Sequence, residues 1–448
     1  MSAYKYFNSL YTVEHIKEHY KEKIEDNAST GLDRISNKKF KSQLDENIDI
    51  INKKVISNSY KFTRYKQILI SKGEDKIPRS ISIPTIRDKL TLSILNELLF
   101  EVYGNDAITK MPHSIIHEIK TAIDDKDNSG KYKYDSFVKL DISSYYKSID
   151  HNLLKKKLRI KIRKKEIIDL IFSAITTPSV SLPINNRSKT NKKTKGVPEG
   201  LSISNALANI YLHDIDKKYI SKYGIRYFRY VDDIVILCKY EYINAIYEEI
   251  KSDLKYMELE VNDTKKDIGT IIDGFEYLGY KLNSNIITVR ESSVLKIEQS
   301  IEKLFTDYMR SKDKNIKLLE WKLNLRITGF INNNNKYGWL FFFSQIKDLK
   351  LVSKLDWLLS KFAKRYKLES SLSLKRFKRT LYEIKYRLHS TNYIPNFDKY
   401  TIKQKSNILN EIYDQDISDL SDEHIVVEFK KIVYKEMRDI EKDIQAFS

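Results

Sequence analysis

The amino-acid sequence predicts an α+β fold, and three stretches carry that reading. The apolar run Ile234-Val235-Ile236-Leu237 follows Phe228-Arg229-Tyr230-Val231-Asp232-Asp233, which reads as a buried β-hairpin with two carboxylates at its turn. Phe137 to Leu140 favours a short strand that ends at Asp141. Val294 to Met309 repeats with helical period, placing Ile297, Ile301, Leu304, Phe305 and Tyr308 on one face.

Composition narrows the class. At 448 residues and 41% hydrophobic, the chain can bury a large core, and its length suits about two to four subdomains. A formal net charge of +19 with 31% charged residues is what a protein that tracks phosphates needs, the plain alternative being a merely soluble basic protein. With 12 glycines, 7 prolines and no repeat or low-complexity stretch, the subdomains are expected to pack directly. Cys238, the one cysteine, excludes a disulfide framework and a cysteine zinc finger, and reads as a small core residue. No apolar segment reaches the roughly 18 residues of a membrane span. The early charges argue against a cleaved signal, so a cytoplasmic protein without membrane association is expected.

Carboxylates beside a core cost several kcal/mol unless cations neutralise them, so Tyr230-Val231-Asp232-Asp233 suggests metal chemistry. Taken alone, the tetrapeptide is equally a polar turn. Upstream, Ser143-Ser144 offers a polar cap for a helix, which would leave Asp141 at a strand end facing a cleft. Phosphoryl transfer with two divalent ions about 3.5–4 Å apart needs carboxylates from different strands, and Asp141 could supply the third. Its bland alternative is a helix cap. Asp150, which opens Asp150-His151-Asn152-Leu153, reads as the N-cap of the next helix.

In this order the blocks resemble the palm of reverse transcriptases, specifically bacterial ones related to group II intron and retron enzymes. Leu140-Asp141 through Tyr146 looks like motif A, and Gly196-Val197-Pro198-Glu199-Gly200 running into Leu201 to Leu212 is similar to motif B. Phe228 to Ile236 resembles motif C, Leu259 to Lys266 motif D, and Phe275-Glu276-Tyr277-Leu278-Gly279-Tyr280 motif E. Pro78 to Pro84 and Arg87-Asp88-Lys89 look like the fingers motif that precedes them. The resemblance covers about residues 31–280 and part of a thumb, and five ordered blocks are far more specific than one.

The family implies a right-hand polymerase. Its N-terminal segment and fingers would span 1–130, and its palm of antiparallel sheet plus helices 131–288, with a fingers portion at about 151–195. A helical thumb would span 289–380 and a helical C-terminal extension 381–448. Asp141, Asp232 and Asp233 would hold two Mg2+ per active site, with the Ile142 carbonyl as an extra ligand and Mn2+ able to substitute. One ion would activate the primer 3′-hydroxyl and the other hold the nucleotide phosphates. Tyr146 would close against the sugar and exclude a 2′-hydroxyl, favouring deoxynucleotides, its alternative being a core aromatic. Glu199 departs from the family, which usually has Gln in this turn beside Gly200; either it pairs with a base such as Arg79 or it points away from the nucleotide. Lys265 or Lys266 would protonate departing pyrophosphate, spacing favouring Lys265. Arg79 ranks first for triphosphate contact, ahead of Lys76 and Arg87.

Nucleic-acid contacts are expected from Arg87, Lys195, Tyr230, Gly279 and the cluster Lys375, Arg376, Lys378 and Arg379. Basic stretches at 155–165, 187–195 and 361–367 add to an electropositive path, although each alone reads as a solvated face. Trp339 and Tyr337 are expected in the thumb core, with base stacking as the alternative. No cysteine–histidine endonuclease block follows, and the tail after about Arg379 is short for a typical RNase H module. The thumb is similar to that of defence-associated bacterial reverse transcriptases of the unknown groups. This implies copying of a structured non-coding RNA from dNTPs into cDNA, with an oligomer or accessory protein as an open partner. A retron enzyme and a catalytically idle maturase-like RNA binder are the competing readings.

Overall fold

The computed structural model describes residues 2–25, 29–71, 78–181 and 193–444. Lys76 and most of the 187–195 stretch lie outside the described residues. The chain forms two units: Met1–Lys110 with Phe137–Ile268, and Met111–Ser136 with Gly269–Ser448.

In the first unit, β1 (Tyr65–Ile70) pairs antiparallel with β2 (Arg79–Ile83). A second sheet contains β3 (Ser136–Asp141), while the short β4 (Ser179–Val180) runs parallel to β1. The second sheet continues with β5 (Arg226–Tyr230), β6 (Asp233–Cys238) and β7 (Asp267–Thr270), in the order β5-β6-β3-β7. Residues Ile234 to Cys238 are all fully buried, which is why β6 reads as a continuous apolar run rather than an alternating one. Cys238 is the small core residue expected. Helix Ser204–Ile220 packs into the same core; Ala206 and Ala208 are among its buried residues. Asp150 caps helix His151–Lys161, its side chain accepting from the amides of Asn152 and Leu153 at 2.9 and 3.0 Å.

A glycine shapes the turn before helix Ser204–Ile220. Gly200 has φ +100°, and a Cβ there would lie 2.7 Å from the Ile81 side chain and 2.8 Å from the Ser82 carbonyl, so only glycine fits against β2. The Ser82 amide donates to the Glu199 carbonyl at 2.7 Å, which fastens the turn to that strand.

The second unit begins its own sheet with β8 (Phe275–Tyr277), β9 (Tyr280–Leu282) and β10 (Ile287–Val289), an antiparallel meander. Tyr277 pairs with Tyr280 across a two-residue turn, where Leu278 and Gly279 both take positive φ, as a tight hairpin requires. Helix Glu291–Arg310 buries Ile297, Ile301 and Phe305, with Ser293 and Val294. Leu304 and Tyr308, expected on that face, are only partly covered. Trp339 is buried against Phe343 at 4.7 Å between ring centroids, which removes it from base stacking. Residues beyond 380 share a core with the helices before them: Phe330 meets Phe397 at 4.9 Å, and Trp321 meets Tyr413 edge-on. No helix among the described residues is long and apolar enough to cross a membrane.

Candidate active site

Antiparallel pairing sets Tyr230 opposite Asp233, so Val231 and Asp232 form a two-residue turn and Asp233 opens β6. Val231 sits at φ 57°, a costly conformation for a β-branched residue and one that the surroundings must enforce. Arg229 does so. Its Nη1 donates to the Val231 carbonyl at 2.8 Å, and its Nε donates to Asp216 Oδ1 at 2.7 Å. A second bond joins its Nη2 to the other Asp216 oxygen, which makes the pair bidentate. Burial works against the guanidinium charge, and Asp216 more than offsets it, holding the group firmly protonated.

The Ile142 amide donates to the Asp232 carbonyl at 3.2 Å, which joins the end of β3 to the turn. Asp141, at that end, is 8% exposed. Lys265 Nζ lies 3.2 and 3.1 Å from its two oxygens, and Asn262 Nδ2 donates to Oδ2 at 3.2 Å. Asp141 is therefore no helix cap. The expected serine cap also fails, because helix Tyr145–Ser148 begins after Ser144 in a left-handed conformation with no side-chain capping bond. Lys266 lies over the Tyr247 ring instead of Asp141.

Burial raises the Asp232 carboxyl, and the Asp141 charge raises it further. Asp233 is pushed up to about 7, first by burial, then by Asp232 and Asp141, against partial relief from Lys139 and Lys265. Carboxylates that repel one another while half-buried are a hard-oxygen donor set short of positive charge, which fits divalent magnesium. The Lys265 ammonium meets part of that need at Asp141. Their oxygens are not drawn into one tight cluster: among the described residues, the group with all ligand atoms within 4.8 Å is His15, His19 and Glu97.

Around these acids lie the expected nucleotide-side residues. Tyr146 is 8% exposed and donates to Asn205 Oδ1 at 2.6 Å. Its hydroxyl is held protonated by burial, then by the Asp232 charge, with Arg79 opposing and Glu199 adding to the effect. Tyr145 is core, bonded to the Ala208 carbonyl. Of the two alternatives for Glu199, the structure has the ion pair with Arg79 Nε. A cleft of about 400 Å³ beside this turn is lined by Gln67, Ser82, Lys147, Lys195, Gly196 and Glu199. Tyr230 is half-buried, its hydroxyl raised by burial and then by Asp232 and Asp233.

Other expected contacts fall elsewhere or are engaged. Arg87 is braced against Asn47 Oδ1, with Nε at 3.0 Å. Lys195 pairs with Glu258 at 3.1 Å. Gly279 and the 375–379 cluster belong to the second unit. Lys375 departs from its expected role as a phosphate contact: its ammonium donates to the Tyr393 carbonyl at 2.6 Å, and burial lowers its pKa. Arg379 pairs with the buried Glu383 at 2.5 Å, which leaves Arg376 and Lys378 as the exposed members outside these two contacts. Sequence reasoning missed Asp216, Asn205 and the carboxylate contact of Asn262. Asn262 and Asn205 had a signal, since they lie in the blocks that supply Lys265 and Gly200; Asp216 lies outside every block.

Residues 70–282 match the family model described as reverse transcriptase (RNA-dependent DNA polymerase). Protein YkfC of Escherichia coli (strain K12) is 23% identical over 341 residues, covering 67% of this chain and 86% of its own length. The group II intron-encoded protein LtrA of Lactococcus lactis subsp. cremoris is 28% identical over 173 residues, covering 37% of this chain but only 27% of LtrA. A solved telomerase from Candida albicans, in complex with a TWJ fragment of telomeric RNA, aligns with TM-score 0.45 and 14% identity over 89% of this chain and 66% of that one. The matched family segment runs from the end of β1 to the end of β9 and takes in every residue of the aspartate site. That segment, just under half of the chain, is similar to the reverse transcriptase family and supports RNA-directed DNA polymerase activity.

Proposed function

We propose that the chain copies a dedicated, structured non-coding RNA into cDNA by two-metal nucleotidyl transfer, with dNTPs as substrates and Asp141, Asp232 and Asp233 as the magnesium ligands. One observation carries the reading: a strand-end carboxylate and a turn carboxylate, 91 residues apart in sequence from 141 to 232, are joined by the Ile142–Asp232 backbone bond beside an acid raised to about 7. Magnesium bound there supplies charge neutralisation for an in-line displacement. The Ile142 carbonyl lies at the same strand end and is proposed as a further ligand. Lys265 is poised to give a proton to departing pyrophosphate. The Tyr146 ring, tied to Asn205, stands as the wall against a 2′-hydroxyl. Arg79 would exchange Glu199 for the triphosphate, a charge-assisted contact suited to guanidinium.

The template class and a role in cytoplasmic antiphage defence rest on the likeness of the thumb to defence-associated enzymes. Primer extension with magnesium tests the chemistry: Asp232→Asn should abolish synthesis while RNA binding persists, and substantial synthesis by this variant would sink the site. Sequencing of RNA and DNA co-purified from cells tests the template. A single recurrent RNA with its complementary DNA is expected; random cellular RNA would reject a dedicated partner.

A further inference from the structure

We propose a second metal site in the first unit, for a zinc-class dication, formed by His15, His19 and Glu97. His15 and His19 are one turn apart, on and at the end of helix Val13–His19, and so share a face. Glu97 reaches them from helix Ile86–Tyr103. His15 Nε2 and His19 Nδ1 lie 3.3 and 2.9 Å from the same oxygen, Glu97 Oε2, and the three ligand atoms all lie within 4.8 Å of one another.

The two histidine–glutamate spacings are near those of a coordination shell, while the two imidazole nitrogens lie within 4.8 Å of each other and would have to close around an ion. Zinc bonds of about 2.0–2.1 Å to nitrogen and oxygen set neighbouring ligands of a tetrahedron about 3.3 Å apart. Seating an ion therefore asks the two histidine–glutamate separations to change by a few tenths of an ångström. Two imidazoles and one carboxylate also favour zinc, cobalt or nickel over magnesium, so the site differs in chemistry from the aspartate cluster.

The surroundings prepare one ligand in particular. His19 is 7% exposed, and its second nitrogen, Nε2, is 2.7 Å from Ser93 Oγ, the kind of outer contact that orients a metal-binding imidazole. His15 and Glu97 retain 27% and 33% side-chain exposure, which leaves a path for the ion and a place for water as fourth ligand. With two imidazoles, one carboxylate and no thiolate, the site should bind more weakly than a cysteine-based one. Its effect would be to staple helix Val13–His19 to helix Ile86–Tyr103. The competing account is a hydrogen-bonded His–Glu–His brace that holds no ion.

The test uses the full-length chain stripped with a chelator and titrated with Co2+ as a spectroscopic probe. Visible absorption bands of four-coordinate cobalt should grow to one equivalent per chain and be displaced by Zn2+. They should vanish in His15→Ala and His19→Ala and persist in Asp232→Asn, whose failure or success in primer extension is a separate matter. Ser93→Ala should weaken Co2+ binding by about tenfold or more. Zn2+ should raise the thermal midpoint of the wild type and not of His15→Ala, whose partly exposed site makes that variant the safer folder if His19→Ala collapses. Absence of the bands in the wild type, or their survival in His15→Ala, would overturn the proposal in favour of the ion-free brace.

Discussion

Replacing Asp233 with Asn should stabilise the metal-free protein, and by an amount that grows with pH. Its carboxyl moves from 3.8 to about 7 on folding, chiefly through burial and then through repulsion by Asp232 and Asp141. A rise of about 3 units corresponds to about 4 kcal/mol, at about 1.36 kcal/mol per unit, as an upper figure for a half-buried group. Between those two pH values the folded state holds the proton more tightly than the unfolded chain. Stability therefore falls as pH rises from about 4 to about 7, and levels off above that. The amide of Asp233→Asn does not titrate, so the variant's advantage over the wild type should climb by up to about 2.7 kcal/mol between pH 5 and pH 7. Asp232 is coupled to the same charge, so the difference reports the pair rather than one group. Urea unfolding of both proteins in EDTA at pH 5, 6, 7 and 8 measures it, and saturating Mg2+ at pH 8 should shrink it. A difference that is flat across that range would refute the crowded-carboxylate account on which the metal assignment rests.

Tyr146→Val should raise ribonucleotide incorporation relative to deoxynucleotide in single-nucleotide extension, whereas Tyr146→Phe should keep sugar choice and lose only the Asn205 bond, costing about 1 kcal/mol of stability. Lys265→Ala should slow the chemical step by about 100-fold in single-turnover assays. Lys266→Ala should leave it nearly unchanged because that ammonium lies over Tyr247; equal losses would dissolve the assignment. With Lys375 and Arg379 engaged internally, neutralising Lys375, Arg376, Lys378 and Arg379 together should flatten the salt dependence of RNA binding by at most about two contacts, at about 0.7–0.9 each. Filter binding at several salt concentrations would show a loss of four contacts if the two inner cations bind phosphate after all.

What could be read from the residues was local and periodic. The hairpin was legible because an unbroken apolar run can only be a buried strand or helix, and an adjacent acid pair decides for a turn. The cap at Asp150 was legible from its immediate successors. The Ser143-Ser144 cap misled because a serine N-cap needs extended backbone, and Ser144 adopts a left-handed conformation instead. Leu304 and Tyr308 fit a helical stripe, but a period cannot tell how wide a face its neighbours cover. Lys375 shows the limit most plainly. Nothing in Lys375-Arg376-Phe377-Lys378-Arg379 marks which cation folds inward, since the carbonyl that accepts the Lys375 ammonium belongs to Tyr393, outside the cluster and 18 residues on.

The brace from Asp216 through Arg229 to the Val231 carbonyl bears on how inactive copies of this enzyme would be told from working ones. Asp216 stands beyond the end of the motif B stretch, yet its loss would strand a buried guanidinium, at a cost of about 3–5 kcal/mol, and release the turn that carries Asp232. A gene could thus retain every aspartate that inspection would demand and still encode a dead polymerase. Surveys that judge competence by the acidic tetrapeptide alone would count such a copy among the living, and a covarying acid and arginine at these two positions would be the better criterion.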